Sequence, residues 1–343
     1  MRSEIFEQPA ALRATIGALL PRTAEVAALA QDSRQVLFFA RGTSDNAAVY
    51  GTYLIQTRTG RLASLGSPSV ATTYRSRIDL SGVMAVGLSQ SGRTEEIIET
   101  LQWARDCGAS IVGITNGAGS PLAEMADVAL VTEAGLEQAV PATKTFTCQL
   151  AAVAVLAIGL GADLDAGQLK HLPEVIGDLL AAASSPGYGL ERVVEELAGV
   201  DGLVVSARGL AYSTALELAL KIKEACYLHA MGISWSDLQH GPIAVVDAKT
   251  PAIIMAADSG PTLPAAIALA KRVRNADAHA YAIGGGAGLA AVSSRALAGP
   301  DLPEWLAPIG LIVPGQLLTE QLSRRLGIDP DNPRGLSKVT QTA

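Results

Sequence analysis

Residues 89–94 (Ser-Gln-Ser-Gly-Arg-Thr) concentrate three hydroxyl groups, an amide and a glycine in six positions. They follow an apolar run typical of a buried strand and precede a helical pattern, which predicts a strand-to-helix turn. A helix N-terminus offers N–H groups and the positive end of its dipole to an anion. An ordinary N-cap explains one hydroxyl but not three with a glycine. The segment predicts a phosphate site at the carboxyl end of a strand, where doubly wound sheets bind ligands.

The chain repeats this turn pattern, but only one copy has a polar lining. Residues 40–44 (Ala-Arg-Gly-Thr-Ser) are echoed at 207–211, and residues 88–94 at 256–262, with sequence separations that agree within one residue. Such agreement indicates two tandem copies of one α/β unit. The second copy keeps Ser259 and Thr262 but has apolar or ring side chains at Leu210, Ala211, Ala257 and Pro261. We predict one functional pocket, built mainly on the first half.

Short apolar runs alternate with helical patterns in both halves, which predicts parallel sheets covered by helices. Predicted strands are 36–40, 82–88, 110–115 and 126–131, then 202–206, 252–256 and 278–283. Predicted helices include 46–56, 95–107, 166–185, 212–229 and 316–326, with a buried helix at 150–160.

Composition excludes several classes of function. The net charge is −7 without a Lys/Arg cluster, so nucleic acid is not an expected partner. Neither a Walker loop nor a strand-linked G-x-G-x-x-G is present, which disfavours nucleotide cofactors. The three cysteines, Cys107, Cys148 and Cys226, lack metal-ligand spacing, and we expect no metal and no cofactor. Without a signal core or a membrane-length apolar run, we expect a soluble, cytoplasmic protein with no membrane partner.

Six segments in order resemble the sugar isomerase (SIS) family, specifically the two-SIS isomerase half of glucosamine-6-phosphate synthase and its stand-alone relatives. They are residues 4–9 (Glu-Ile-Phe-Glu-Gln-Pro), 41–44, 89–94, 140–147 (Val-Pro-Ala-Thr-Lys-Thr-Phe-Thr), 221–224 (Lys-Ile-Lys-Glu) and 240–242 (His-Gly-Pro). The resemblance covers essentially the whole chain. It implies an α/β fold of two tandem SIS domains, each a flavodoxin-like, doubly wound parallel sheet flanked by helices.

This resemblance also implies a domain order. We expect a helical lead-in at 1–30, a first SIS domain at 31–165, a connecting helix at 166–187 and a second SIS domain at 188–328. The tail, 329–343, is expected to close over the active site.

The resemblance assigns roles to individual residues. It places the sugar phosphate on Ser44, Ser89, Gln90, Ser91 and Thr94, and the sugar on Gly42, Thr43, Val140 and Ala142. Glu224 corresponds to the glutamate that moves a proton between carbons 1 and 2, and Lys221 shares its helix face by i, i+3 spacing. His240 corresponds to the ring-opening histidine, lent by the partner subunit of a homodimer. Lys338 corresponds to the tail lysine that forms a Schiff base with a keto sugar.

Two departures shape the predicted reaction. Arg2 follows Met1 where the synthase carries a cysteine, and the chain starts at the SIS portion, so we expect that glutamine is not the ammonia source. Ala142 replaces the serine of the family's Ser-Thr-Lys step, which leaves the identity of the sugar open.

The leading prediction is a glucosamine-6-phosphate deaminase that gives fructose 6-phosphate and ammonia. A fructosamine-6-phosphate deglycase or an ammonia-dependent isomerase is the first alternative. A non-catalytic sugar-phosphate sensor is the second.

Overall fold

The computed structural model describes residues 1–338, which form two compact units. The first unit comprises Ala10–Glu137, Lys144–His171 and the tail from Ser337. The second unit comprises Met1–Pro9, Gln138–Thr143 and Leu172–Leu336. The units are interleaved in sequence, because short segments of each lie within the span of the other.

The elements up to residue 183 alternate strands with helices after a helical start. In chain order they are α1 (Arg2–Phe6), α2 (Gln8–Leu19), α3 (Thr23–Leu29), β1 (Gln35–Phe39), α4 (Thr43–Thr59), β2 (Leu62–Leu65), α5 (Pro68–Thr72), β3 (Val83–Leu88), α6 (Glu95–Asp106), β4 (Ser110–Thr115), α7 (Pro121–Met125), β5 (Val128–Val131), α8 (Lys144–Gly159) and α9 (Ala166–Ala183).

The remaining elements repeat the alternation. They are α10 (Leu190–Leu197), β6 (Gly202–Ala207), α11 (Tyr212–Cys226), β7 (His229–Ser234), α12 (Trp235–Gln239), β8 (Ala252–Ala256), α13 (Leu263–Asn275), β9 (Ala280–Gly284), α14 (Gly286–Ala290), β10 (Arg295–Leu297) and α15 (Ala307–Arg325). Short 3₁₀ turns occur at Leu20–Arg22, Pro186–Tyr188, Gly209–Ala211 and Pro242–Val245.

Each unit contains one five-stranded sheet, and the two sheets share one topology. The first sheet has the order β2-β1-β3-β4-β5 and the second β10-β9-β8-β6-β7, and every pairing between these strands is parallel. Numbered within its own sheet, each has the flavodoxin-like order 2-1-3-4-5, in which the winding direction reverses between the first and third strands. The predicted doubly wound α/β class is confirmed.

Aliphatic side chains fill both cores, as parallel strands covered on two faces require. All residues of β8 and β9 are buried. In the first unit, α6 places Ile97, Leu101 and Ala104 against Ala85 and Ile111 of the sheet. The predicted buried helix at 150–160 is confirmed as part of α8, whose residues are nearly all buried.

The structure corrects the predicted second half and adds three strands. The predicted helix at 212–229 is wrong at its end, because Tyr227 adopts a left-handed conformation (φ 58°, ψ 22°) and β7 begins at His229. The late helix begins at Ala307, not at 316, and accommodates Pro314 inside it. Strands β2, β7 and β10 were not predicted. Strand β2 is a four-residue edge strand with three exposed residues, so it lacks a buried apolar run.

No helix within residues 1–338 is both long enough and apolar enough to span a bilayer.

Candidate active site

The polar turns of the first sheet lie at the carboxyl ends of adjacent strands. Strands β1 and β3 pair in parallel, and their chain continues into α4 and α6 through residues 40–42 and 89–94. Arg41 joins the first turn to the start of α6, because its Nε and Nη2 donate to the Glu96 carboxylate at 2.8 and 2.7 Å. This bond raises the pKa of the Arg41 guanidinium. The turns therefore share the edge where the winding reverses, which is the ligand-binding position of such sheets.

Hydroxyl groups of the 89–94 turn organise one another. Ser89 Oγ lies 2.9 Å from Thr94 Oγ1 and accepts a bond from the Gly92 N–H at 3.2 Å. Ser91 Oγ accepts from the Arg93 N–H at 3.2 Å. Thr94 is the N-cap of α6, yet its side chain accepts no capping bond from that helix. A hydroxyl that accepts a backbone bond can still donate its hydrogen, so the turn can present donors to an anion.

Gly92 is the one residue of this turn that tolerates no side chain. Its φ is +63°, and a Cβ atom there would lie 2.1 Å from Ser120 Oγ and 2.7 Å from Thr115 Oγ1. The neighbouring backbone is fixed as well, because Asn116 N donates to Gln90 O at 3.0 Å and Leu122 N to Gly92 O at 3.1 Å. The turn is thus held close to the loop that follows β4.

Ser44 in the first turn of α4 is oriented from an element distant in sequence. Its hydroxyl accepts a bond from Gln149 Nε2 at 2.9 Å, and both side chains are buried. Because Gln149 occupies an acceptor position, the Ser44 hydrogen can point to another partner. Gly42, the N-cap of α4, has φ +57°, and Thr43 is the first residue of that helix.

Helix α11 of the second unit carries a buried cation between two carboxylates. Lys221 is 1% exposed, and its Nζ donates to Glu224 Oε2 and lies 3.5 Å from Glu217 Oε1. The Glu217 side chain is fully buried, whereas that of Glu224 is 21% exposed. The predicted neighbourhood of Lys221 and Glu224 is therefore present. Of the two carboxylates of this trio, only that of Glu224 is accessible to solvent.

Three other predicted residues also lie in the second unit. His240 is exposed and ends α12, directly before Gly241 with φ +125°. Val140 donates its N–H to Asp331 O at 3.0 Å, and Ala142 is half-buried two residues later. The described contacts do not join these residues to Glu224.

Lys338 belongs to the first unit, as do the residues predicted to bind the phosphate, and it contacts a buried acid that the sequence did not point to. Its Nζ lies 2.7 Å from Glu137 Oε2. Gln149 carried no sequence signal. Arg41 lies in the 41–44 segment of the resemblance, which assigned it no role. Glu217 precedes Lys221 by four residues and so shares its helix face, a visible signal that was not used.

Burial shifts the pKa of several groups around these elements. It raises the pKa of Asp45 in the first turn of α4, against the opposing effect of Arg41. It also raises the pKa of the Cys148 and Cys226 thiols to about 12, which disfavours a nucleophilic thiolate at either. Among residues 1–338, no group of three or more His, Cys, Asp or Glu side chains is arranged to hold a metal ion.

Comparison with known proteins identifies the family. The SIS domain model matches residues 29–159 and again residues 196–296, which carry the first and second sheets. This chain belongs to the SIS domain family. The two matched regions follow one another along the chain, so the predicted pair of tandem SIS domains is confirmed.

Several characterised proteins are similar over nearly the whole chain. The glutamine–fructose-6-phosphate aminotransferase (isomerizing) of Pyrococcus horikoshii is 33% identical over 98% of this chain, which spans 57% of that relative. The C-terminal domain of glucosamine-fructose-6-phosphate aminotransferase from Francisella tularensis is 27% identical, with a TM-score of 0.85 over 97% of each chain. Glucosamine-6-phosphate deaminase from Thermotoga maritima shares the fold, at 21% identity and a TM-score of 0.80 over 99% of each chain.

Proposed function

We propose that this protein is an aldose–ketose isomerase of amino-sugar phosphates that converts glucosamine 6-phosphate and water to fructose 6-phosphate and ammonia. The observation that carries the proposal is the trio on α11, in which buried Lys221 donates to the partly exposed Glu224. Lys221 and Glu224 are three residues apart on one helix, so the ammonium holds the carboxylate in place, and a general base acts from such a fixed position.

The 89–94 turn and Ser44 bind the sugar phosphate in this proposal. Hydroxyl donors at two adjacent helix starts can bind a dianion. The Arg41 guanidinium is paired with Glu96 at the start of α6, so we do not assign it to the phosphate. The phosphate is remote from the reacting carbons, but contacts to it can orient those carbons. Through this orientation, binding energy can raise the reaction rate. Gly42, Thr43, Val140 and Ala142 remain our proposed contacts to the sugar.

The chemistry follows from one proton transfer. In the open-chain sugar, Glu224 takes the proton from carbon 2 while the carbon 1 carbonyl oxygen gains a proton, which gives an enolamine. A proton returned to carbon 1, with loss of one N–H proton, leaves an imine at carbon 2. Water adds to that imine carbon, and ammonia departs with the nitrogen, which leaves the ketone of fructose 6-phosphate. No step changes the oxidation state of the substrate as a whole.

The synthetic direction is a second candidate, favoured by the 33% identity to an aminotransferase. Fructose 6-phosphate would then accept ammonia at carbon 2 and isomerise to glucosamine 6-phosphate through the same atoms. Because both directions share one transition state, the proposed residue roles are the same in each.

We further propose that His240 opens the sugar ring for a neighbouring subunit of a homodimer. Its exposure at the end of α12 makes it accessible to a second copy. Glu224→Gln and His240→Ala proteins, each inactive, should recover part of the activity when they are refolded together as heterodimers. Heterodimers that form without recovering activity would contradict a role in trans.

The direct test of function is ammonia release from glucosamine, galactosamine and fructosamine 6-phosphates. Fructose 6-phosphate with ammonium or with glutamine tests the reverse direction in the same series. We expect turnover with glucosamine 6-phosphate and with the ammonium reversal. Turnover confined to fructosamine 6-phosphate would replace the proposal with a deglycase, and the absence of any turnover despite binding would replace it with a sensor.

A further inference from the structure

The tail lysine Lys338 forms an ion pair with the buried carboxylate of Glu137. Its Nζ lies 2.7 Å from Glu137 Oε2, and the Glu137 side chain is fully buried while that of Lys338 is 23% exposed. Both residues belong to the first unit. A buried carboxylate needs hydrogen bonds and a counter-charge, since its desolvation is costly.

Glu137 is held in place from the other side by α8. Its Oε1 accepts from the Thr145 N–H at 3.1 Å, and its Oε2 accepts from Thr145 Oγ1 at 2.5 Å. Thr145 lies in the first turn of α8, where the helix dipole favours a negative charge. These bonds do not involve the tail, so the position of the carboxylate does not depend on Lys338.

The loop that carries Glu137 is also tied to the phosphate turn. Asn116 Oδ1 accepts from Thr132 Oγ1 at 3.0 Å and from Ala134 N at 2.7 Å, and Asn116 Nδ2 donates to Gly135 O at 2.8 Å. The backbone N–H of the same asparagine donates to Gln90 O at 3.0 Å. One asparagine therefore fixes both the 89–94 turn and the loop that leads to Glu137.

We propose that Glu137 is a positioning residue that docks the tail through Lys338 and holds its amine at a fixed point relative to the phosphate turn. This inference rests on the proposed function and on the role that the resemblance implies for Lys338, a Schiff base between its amine and a keto sugar. The Lys338 ammonium first loses one proton to solvent, which reaches its partly exposed side chain. The neutral amine then adds to carbon 2 of fructose 6-phosphate, and loss of one water gives the imine. A fixed amine reaches that geometry more often than one on a free, four-bond side chain.

Two measurements separate docking from chemistry. The first is amide hydrogen exchange of the segment that carries Lys338, which needs no substrate. Glu137→Gln should speed this exchange, while Lys338→Arg, which keeps the charge pair, should leave it near the wild-type rate. The control Glu133→Gln, an exposed acid of the same loop, should change nothing.

The second measurement traps the imine formed from fructose 6-phosphate with cyanoborohydride and counts modified Lys338 by mass spectrometry. We expect the trapping rate to fall at least tenfold in Glu137→Gln and to stay unchanged in Glu133→Gln. Thr145→Val removes one of the two bonds that hold the Glu137 carboxylate but keeps its charge and the backbone bond. It should therefore lower the trapping rate less than Glu137→Gln does.

The outcomes of the two measurements are distinguishable. Wild-type tail exchange in Glu137→Gln, or trapping at the wild-type rate, would overturn the positioning role. If wild-type protein traps no sugar at all, the Schiff-base role that the resemblance implies for Lys338 fails, and the exchange experiment alone decides whether Glu137 docks the tail.

Discussion

The 89–94 turn after β3 and the 258–262 turn after β8 occupy the same place in sheets of the same strand order, but they offer opposite surfaces to a ligand. In the first, Ser89 and Gly92 are buried, and the hydroxyls bond to one another and to the backbone. In the second, residues 258–261 are all exposed. The backbone plan is shared, whereas the polar lining is not.

Two carboxylates lie at the second turn, beside its own Ser259 and Thr262 hydroxyls. Asp258 Oδ1 accepts from the Gly286 N–H at 3.0 Å, and the Glu304 carboxylate lies beside Gly260, within 3.0 Å of where a Cβ would stand. Two negative charges at this edge oppose a phosphate. The comparison teaches that a helix start at a switch point does not by itself make an anion site; the side chains of the turn decide.

The helices that follow the first strand of each sheet also carry different polar side chains. Helix α4 places Ser44 in its first turn, while α11 places Lys221, Glu217 and Glu224 along its later turns. Under our proposal, the first unit contributes phosphate binding and the second contributes proton transfer.

The largest effect on stability is expected for Lys221→Met in α11. Removing the ammonium leaves buried Glu217 without its cation, and breaking a buried pair in this way costs about 3–5 kcal/mol. Urea unfolding measures the loss. The exposed neighbour Lys223→Met is the control and should stay within about 0.5 kcal/mol of wild type. Adding Glu217→Gln to Lys221→Met should restore part of the stability, and no restoration would argue against the charge pair as the cause.

An intermediate effect is expected from Ser91→Ala, with Ser259→Ala as the matched change in the second sheet. A hydrogen bond to a charged phosphate contributes about 1.5–3 kcal/mol, so Ser91→Ala should raise KM roughly tenfold to a hundredfold. Ser259→Ala should leave KM unchanged, because its turn is exposed and flanked by carboxylates. Steady-state kinetics decides the comparison, and equal effects from the two variants would remove the asymmetry between the sheets.

The smallest effect is expected at Asp45, whose pKa is raised by burial. The folded state therefore binds the proton more tightly than the unfolded chain, and stability falls as pH rises between the unfolded pKa, about 3.9, and the folded one. Asp45→Asn should be slightly more stable than wild type at pH 7 and equal to it below about pH 4. Exposed Asp163→Asn is the control. A stability difference independent of pH would exclude the ionisation of Asp45 as its origin.

Some of these features could be predicted from the sequence because they are local. The 89–94 turn combines all its hydroxyls within six residues, and Lys221 and Glu224 are separated by one helical turn, so their proximity follows from helix geometry. Strands β3 and β4 were visible as buried apolar runs. The end of α11 could not be predicted. Tyr227 ends this helix in a left-handed conformation, whereas the residues that usually mark such an end are glycine and asparagine.

The contacts that orient the site come from distant sequence. Gln149 reaches Ser44 across 105 positions, and Lys338 reaches Glu137 across 201. A single buried glutamate or glutamine carries no local pattern, because its partner depends on which helices pack together. The edge strand β2 was missed because three of its four residues are exposed, so it shows no buried apolar run.

Deuterium exchange at carbon 2 of the bound sugar tests the central division of labour most directly. The measurement compares wild type, Glu224→Gln and Ser91→Ala in D₂O at saturating substrate, with bound sugar quantified by calorimetry. We predict that Ser91→Ala exchanges at nearly the wild-type rate once saturated. Glu224→Gln should bind the sugar normally but exchange about 10²–10⁴ times more slowly, the usual contribution of a general base. Rapid exchange in Glu224→Gln would contradict the account, because the proton would then move through another residue.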